Sequence, residues 1–253
     1  MRRAKKLLSL ALAAAMFVST FSSTAFASDM DDAYEVDRVD GKYAVVRVED
    51  DGEYYDSKSS ITIPSKIKSR TITRIGDGDS SIFASGGSEK NVYLPDTVDI
   101  ISDGAFEDST VKRVSMEEGP VEIGERAFAN CENLTSVTFA DSITKMGIEA
   151  FSGCTSLRSA TLPTSLTKIP DNAFQDCTDL RSVTIGSYVT SIGDSAFAGC
   201  DSLEEVTIPP NVTRIGYDAF DDFTLIKGYN GTAAQKYAEE NDIDFENLGS
   251  SYG

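Results

Sequence analysis

Apolar and polar positions recur along most of this chain in a phrase of about 23 residues, repeated nearly word for word. Val189 to Pro209, VTSIGDSAFAGCDSLEEVTIP, shows it best. Val189, Ile192, Phe197, Leu203, Val206 and Ile208 are its large apolar positions, with Ala196 and Cys200 as smaller fillers. Val206 and Ile208 alternate about Thr207, which predicts a short strand with one face buried. Ala196, Phe197, Cys200 and Leu203 have helix-like spacing and predict a short helical or 3₁₀ segment on the opposite side. Gly193 or Pro209 punctuates the turns between them. An Ala-Phe pair marks the phase, with Phe106, Phe128, Phe151, Phe174, Phe197 and Phe220 separated by 22, 23, 23, 23 and 23 residues. Phe83, 23 residues before Phe106, marks an eroded first copy. A fixed period in this range is the signature of a solenoid. One copy cannot bury its apolar face alone, so the copies must stack on their neighbours.

The ends of the chain break this pattern. Residues 1–27 read as a signal peptide: Arg2, Arg3, Lys5 and Lys6 precede an apolar Leu7–Val18, and Ala25-Phe26-Ala27 supplies small residues for cleavage before Ser28. The apolar run is too short for a membrane span, which needs about 20 apolar residues. Residues 28–60 form an acidic N-terminal cap with a strand predicted at Tyr43–Val48. Its Asp50, Asp51, Glu53 and Asp56 lack the alternation and terminal Glu of a calcium loop. In the later copies Gly stands four residues before Phe, but Gly76 and Phe83 are seven apart, so three extra residues are expected to bulge as a loop.

The copies share the pattern L-x-x-V-T-I-P followed by V-T-x-I-G-x-x-A-F-x-x-C, which resembles the BspA-like, or Treponema pallidum-type, leucine-rich repeat. The resemblance covers about residues 60–226. It implies an α/β solenoid, a leucine-rich-repeat horseshoe with one short strand and one short helical or 3₁₀ segment per repeat, capped at both ends. Residues 61–226 are then the array and 227–253 the C-terminal cap and tail. Thr232–Asn241 is similar to the capping helix of such arrays, and Ile243–Leu248 to their last strand. Departures are small: Ser109 stands where cysteine is expected, Met146 replaces Ile and Pro170 replaces Gly. The resemblance further implies a secreted or surface-displayed binding protein, often one that adheres to other cells or to matrix.

Charge and composition narrow the chemistry. The chain carries 23 basic and 41 acidic residues, and loss of residues 1–27, with four basic and no acidic residues, leaves −22. Such a surface disfavours nucleic acid and anionic membranes, and no membrane insertion is expected after signal cleavage. The sequence contains no histidine, which removes Ser-His-Asp triads, Cys-His dyads and most catalytic zinc sites. No cofactor and no metal are expected. Paired carboxylates for glycoside hydrolysis stay open, because acids are so numerous. Cys131, Cys154, Cys177 and Cys200 each follow a repeat phenylalanine by three residues. Four cysteines in an exported chain would ordinarily make two disulfides. Their identical register instead assigns them one interior slot as small hydrophobes. Helices packed about 8–10 Å apart would also hold them beyond the roughly 7 Å Cα limit for bridging.

Thr138, Thr161, Thr184 and Thr207 each lie between two buried strand residues and should form an outward threonine ladder on the concave, strand-lined face. Ser136, Ser159, Ser182 and Glu205 lie two residues earlier and should face the same way. This row is either a polar docking surface, as concave solenoid faces often are, or simply good strand formers pairing across neighbours. Arg158, Arg181 and Glu204 vary between copies and are candidates for specificity. The reading that follows is an exported, non-catalytic binding or adhesion module for a protein or glycan on a cell or matrix surface. Its rivals are a parallel β-helix hydrolase with three strands per coil, and a passive spacer.

Overall fold

The computed structural model describes residues 34–48, 59–79, 81–83, 89–116 and 118–249. The predicted signal peptide and the acidic cluster at Asp50–Asp56 lie outside them. The described chain is a β-solenoid of about seven turns with about 23 residues per turn and little helix.

Each regular coil contributes two short strands rather than the one anticipated. The first ladder runs through Lys90–Tyr93, Val111–Ser115, Ser136–Thr138, Ser159–Thr161, Ser182–Thr184 and Glu205–Thr207. The second uses Ile100–Ile101, Glu122–Ile123, Lys145–Met146, Lys168–Ile169, Ser191–Ile192 and Arg214–Ile215. Pairing within both is parallel and one repeat apart, as Ser159 opposite Ser182 and Ser191 opposite Arg214 show. The second strand is the V-T-x-I-G phrase, whose inward Ile123, Ile169 and Ile192 are buried. A hydrophobic core of inward Ile, Val, Leu and Phe runs unbroken along the axis.

The Ala-Phe segment closes the third side, and here the helix-like spacing takes a tighter form. Its residues run as consecutive turns, with i→i+3 bonds such as Cys154 N–H to the Phe151 carbonyl (3.3 Å) and Leu157 N–H to the Cys154 carbonyl (3.0 Å). A left-handed residue interrupts the run on each side, at Asn172 and Asp176 around Phe174. Most of the freed N–H groups then bond to the following coil: Phe128 N–H donates to the Ala150 carbonyl at 2.8 Å, Phe151 to Ala173 and Phe174 to Ala196 at 2.9 Å. An α-helix spends those donors internally. The turns instead stack like strands, and the phenylalanine rings lie face to face. Ring centroids from Phe106 through Phe220 are 4.7, 4.9, 5.3, 5.4 and 5.2 Å apart. Phe83 starts the column, tilted by 33° at 5.7 Å from Phe106.

This stacking corrects the distance argument for the cysteines. The coils follow each other at about the strand spacing of 4.8 Å, not at helix-packing distance, so separation does not keep the thiols apart. All four are nonetheless free and buried. Each donates to a carbonyl one coil back: Cys131 to Phe106 (3.0 Å), Cys154 to Phe128 (3.1 Å), Cys177 to Phe151 (3.2 Å) and Cys200 to Phe174 (3.3 Å). Ser109 holds the matching slot upstream, 3.4 Å from the Cys131 sulfur.

Both ends are covered. An antiparallel hairpin, Tyr34–Val39 with Lys42–Val48, joins the second ladder through Arg70–Ile75. At the other end the helix Ala233–Glu240 turns Tyr237 edge-on to Phe220 at 6.0 Å, and the Tyr237 hydroxyl accepts the Phe220 N–H. Leu225–Gly228 and Phe245–Asn247 then extend the first ladder.

Candidate functional site

The first ladder brings the predicted site residues together on successive rungs. Ser136, Ser159, Ser182 and Glu205 form one column, and Thr138, Thr161, Thr184 and Thr207 a second. Val206 and Ala160 are buried between them, so the pleat sends the named side chains outward. All are exposed except the half-buried Ser136. Arg158, Arg181 and Glu204 directly precede their strands and are exposed as well. Arg181 N–H bonds to the Arg158 carbonyl at 3.0 Å, which sets the two guanidinium groups on adjacent rungs.

Three other polar columns differ from this one in what their side chains do. Thr144, Thr167, Thr190 and Thr213 form a row just before the second ladder. In it Thr190 donates to the Thr167 carbonyl and Thr213 to the Thr190 carbonyl, each at 3.1 Å. Thr155 and Thr178 form another and likewise donate to the carbonyl one coil back, as does the single Thr135 in the register of Arg158. Asp103, Asp171 and Asp194 accept N–H groups of Glu125, Asp194 and Tyr217 at 2.7, 2.9 and 2.9 Å. These three columns seal backbone groups between coils. No hydroxyl of Ser136, Thr138, Ser159, Thr161, Ser182, Thr184 or Thr207 makes a hydrogen bond among the described residues.

The face ends in charge. Lys227 reaches Glu205 at 2.7 Å and Glu246 at 3.5 Å. The hydrogen bond to Glu205 leads the effects that raise the Lys227 pKa. The sequence reading missed Lys227 because the last copy is short, and Leu225 pairs with Glu205 at a spacing of 20 instead of 23. The paired-row alignment was the one signal available for it.

Elsewhere, a groove of about 440 Å³ crosses the second ladder, between Asp103, Glu122, Thr144, Lys145, Thr167 and Lys168. The described residues hold no group of three or more metal-ligating side chains. Burial raises the thiols of Cys154 and Cys177 well above their ordinary value and pushes Cys200 up to about 12. At Cys131 burial acts the same way, but hydrogen bonds with Cys154 and Ser109 outweigh it and lower this thiol. Fully buried thiols without a cationic neighbour lack the setting of an activated nucleophile.

A leucine rich cell surface protein of Faecalibacterium prausnitzii A2-165 shares 26% identity with the chain at a TM-score of 0.62, over 78% of this chain and 53% of that one. A leucine-rich repeat protein of Bacteroides ovatus ATCC 8483 shares its fold at 20% identity and a TM-score of 0.52, over 87% of this chain and 66% of that one. The chain therefore spans about half of the first protein and under two thirds of the second. No functionally curated protein matches it. The BspA type leucine rich repeat region matches in six copies, over residues 53–118 and 99–227. With its coils, its phenylalanine column and its repeat phrase accounted for in that way, the chain belongs to the BspA-type leucine-rich-repeat family.

Proposed function

We propose that the protein is a non-catalytic binding module that acts outside the cell, where its first-ladder face docks a protein or glycan of a cell or matrix surface. The observation that carries this reading is the contrast between hydroxyl columns. Structural threonines on this solenoid spend their hydroxyls on the neighbouring coil, whereas the Ser/Thr face keeps seven hydroxyls without internal partners. A regular row of such donors and acceptors on a rigid ladder is a pre-organised polar docking surface, and pre-organisation lowers the ordering cost of binding. Action outside the cell draws on the signal-like residues 1–27, with cleavage near Ala27-Ser28, and on the cell-surface description of the Faecalibacterium protein. No described helix is long and apolar enough to cross a membrane. The rival hydrolase called for three strands per coil, and the regular coils have two.

The test is capture of the purified protein by immobilised cell-surface and matrix fractions. One variant pair, Thr161→Lys with Thr184→Lys, obstructs the face. A control pair, Ser165→Lys with Ser187→Lys, adds the same charge to the exposed loops between ladders. Saturable capture lost only in the first pair is the expected result. Equal capture by both pairs removes the face from the site, and no saturable capture by any fraction supports the passive spacer.

A further inference from the structure

Arg158 and Arg181 stand against the charge economy of this surface. Acidic residues outnumber basic ones 41 to 23, and several described cations have a carboxylate, as Lys112 has Glu89 and Arg126 has Glu107 and Glu149, while Arg113, Lys168 and Arg214 have none among the described residues. Among the described residues neither Arg158 nor Arg181 makes an ion pair or a side-chain hydrogen bond. Their backbones are directly bonded, so two like charges stand on adjacent rungs. An anion placed between them would remove that repulsion. Guanidinium groups suit a carboxylate in particular, because their planar fork makes two parallel hydrogen bonds to it.

Beside this pair lie the unpartnered hydroxyls of Ser159, Thr161, Ser182 and Thr184. No aromatic or large aliphatic side chain is exposed on these two rungs; Tyr93, the exposed aromatic of this ladder, stands three rungs away from Thr161, and the exposed Tyr188, Tyr217 and Phe223 stand in turns outside the ladder. Protein partners usually anchor through such apolar groups, so a hydroxyl field beside a cation pair fits a sugar better. A net charge of −18 also repels a densely charged polyanion, while leaving an isolated carboxylate to the local field.

We infer that the first-ladder face recognises a glycan bearing a single acidic sugar. The carboxylate sits between the Arg158 and Arg181 guanidinium groups, and neighbouring sugar hydroxyls meet Ser159, Thr161, Ser182 and Thr184. This rests on the binding-module reading and gives it a ligand class.

Calorimetric titration of the whole protein decides the matter, with sialyllactose and a glucuronic-acid disaccharide as probes, which separates the two common sources of the carboxylate. Lactose is the neutral counterpart, and polyglutamate and dextran sulfate represent acidic peptide and dense polyanion. The inference expects at least one acidic sugar to bind roughly tenfold or more tightly than lactose and than either polyanion. It expects Arg158→Gln with Arg181→Gln to erase that preference. The conservative pair Arg158→Lys with Arg181→Lys should weaken it, because charge remains while the fork is lost. Circular dichroism should be unchanged in both, since the side chains are exposed. Equal binding of lactose, preference for a polyanion, or an unaltered preference in the glutamine variant overturns the inference. Absence of any sugar binding alongside face-dependent capture by surface fractions also overturns it, and leaves the binding module standing. Absence of both removes both.

Discussion

The phenylalanine column makes a quantitative demand on stability. Phe174 is fully buried, with Phe151 stacked on one side at 5.3 Å and Phe197 on the other at 5.4 Å. Replacing it with alanine removes a ring from a close-packed interior and should cost about 3–5 kcal/mol. Two stacking contacts disappear together, each worth about 0.5–1.5 kcal/mol beyond area burial, so the upper half of the range is expected. Phe83 is the comparison, because it is only half-buried and has one tilted partner in the column. Phe83→Ala should cost about 1–2 kcal/mol, at the level of ordinary substitutions. Because solenoid stability is a sum of nearest-neighbour interfaces, the central gap also weakens coupling between the two halves. Urea unfolding followed by far-ultraviolet circular dichroism measures both effects. Phe174→Ala should shift the midpoint further than Phe83→Ala, and either lower the slope or split the transition. A central substitution no costlier than the terminal one, in a single transition of unchanged slope, would refute the column as the spine of the fold.

Three further outcomes follow from the same geometry. Thr190→Val should cost about 1 kcal/mol in urea unfolding through its lost bond to the Thr167 carbonyl, whereas Thr184→Val, with no internal partner, should stay within about 0.5 kcal/mol. Gly193→Ala should destabilise by more than about 1 kcal/mol, since its Cβ would stand 2.4 Å from both the Asp171 nitrogen and Oδ1, the acceptor of the Asp194 N–H; a variant as stable as the parent contradicts the coil spacing. The thiols should resist a thiol reagent in the native protein and react fully after unfolding. The raised pKa values of Cys154, Cys177 and Cys200 favour the neutral thiol in the fold, so their contribution is complete below the unfolded thiol value and is lost as pH climbs from about 9 toward 12. Thermal unfolding midpoints that stay level across that interval count against it.

Much of this fold was legible because its physics is periodic. A residue repeated every 23 positions with the same neighbours must occupy the same slot, so the Phe, Cys and Thr columns could be read without coordinates. Hydrogen-bond direction could not be read that way. Phe197 and Cys200 have the spacing of a helix face, but the left-handed residues Ser195 and Gly199 flank that segment. A serine does not announce that conformation, and a glycine permits it without requiring it. Once the turns replaced a helix, the coil repeat contracted to about 5 Å along the phenylalanine column, and a second strand found room in V-T-x-I-G.

The same limit applies to the candidate face, where position and availability are different properties. Thr184 and Thr190 are equally polar, equally exposed and six residues apart, and composition treats them alike. Which hydroxyl bonds to the coil below depends on side-chain direction relative to that coil's carbonyls. At Thr190 the carbonyl of Thr167 lies within reach; at Thr184 the strand's own ladder bonds lie in the sheet, and the side chain stands away from it. Strand-forming threonine and docking threonine are therefore not competing explanations for one residue. The strand holds the hydroxyl out at a fixed spacing, and the absence of an internal partner leaves it open. Arg158 and Arg181 follow the same logic: the strand register sets them on adjacent rungs, and what singles them out is that two cations without a carboxylate stand side by side on a strongly acidic chain.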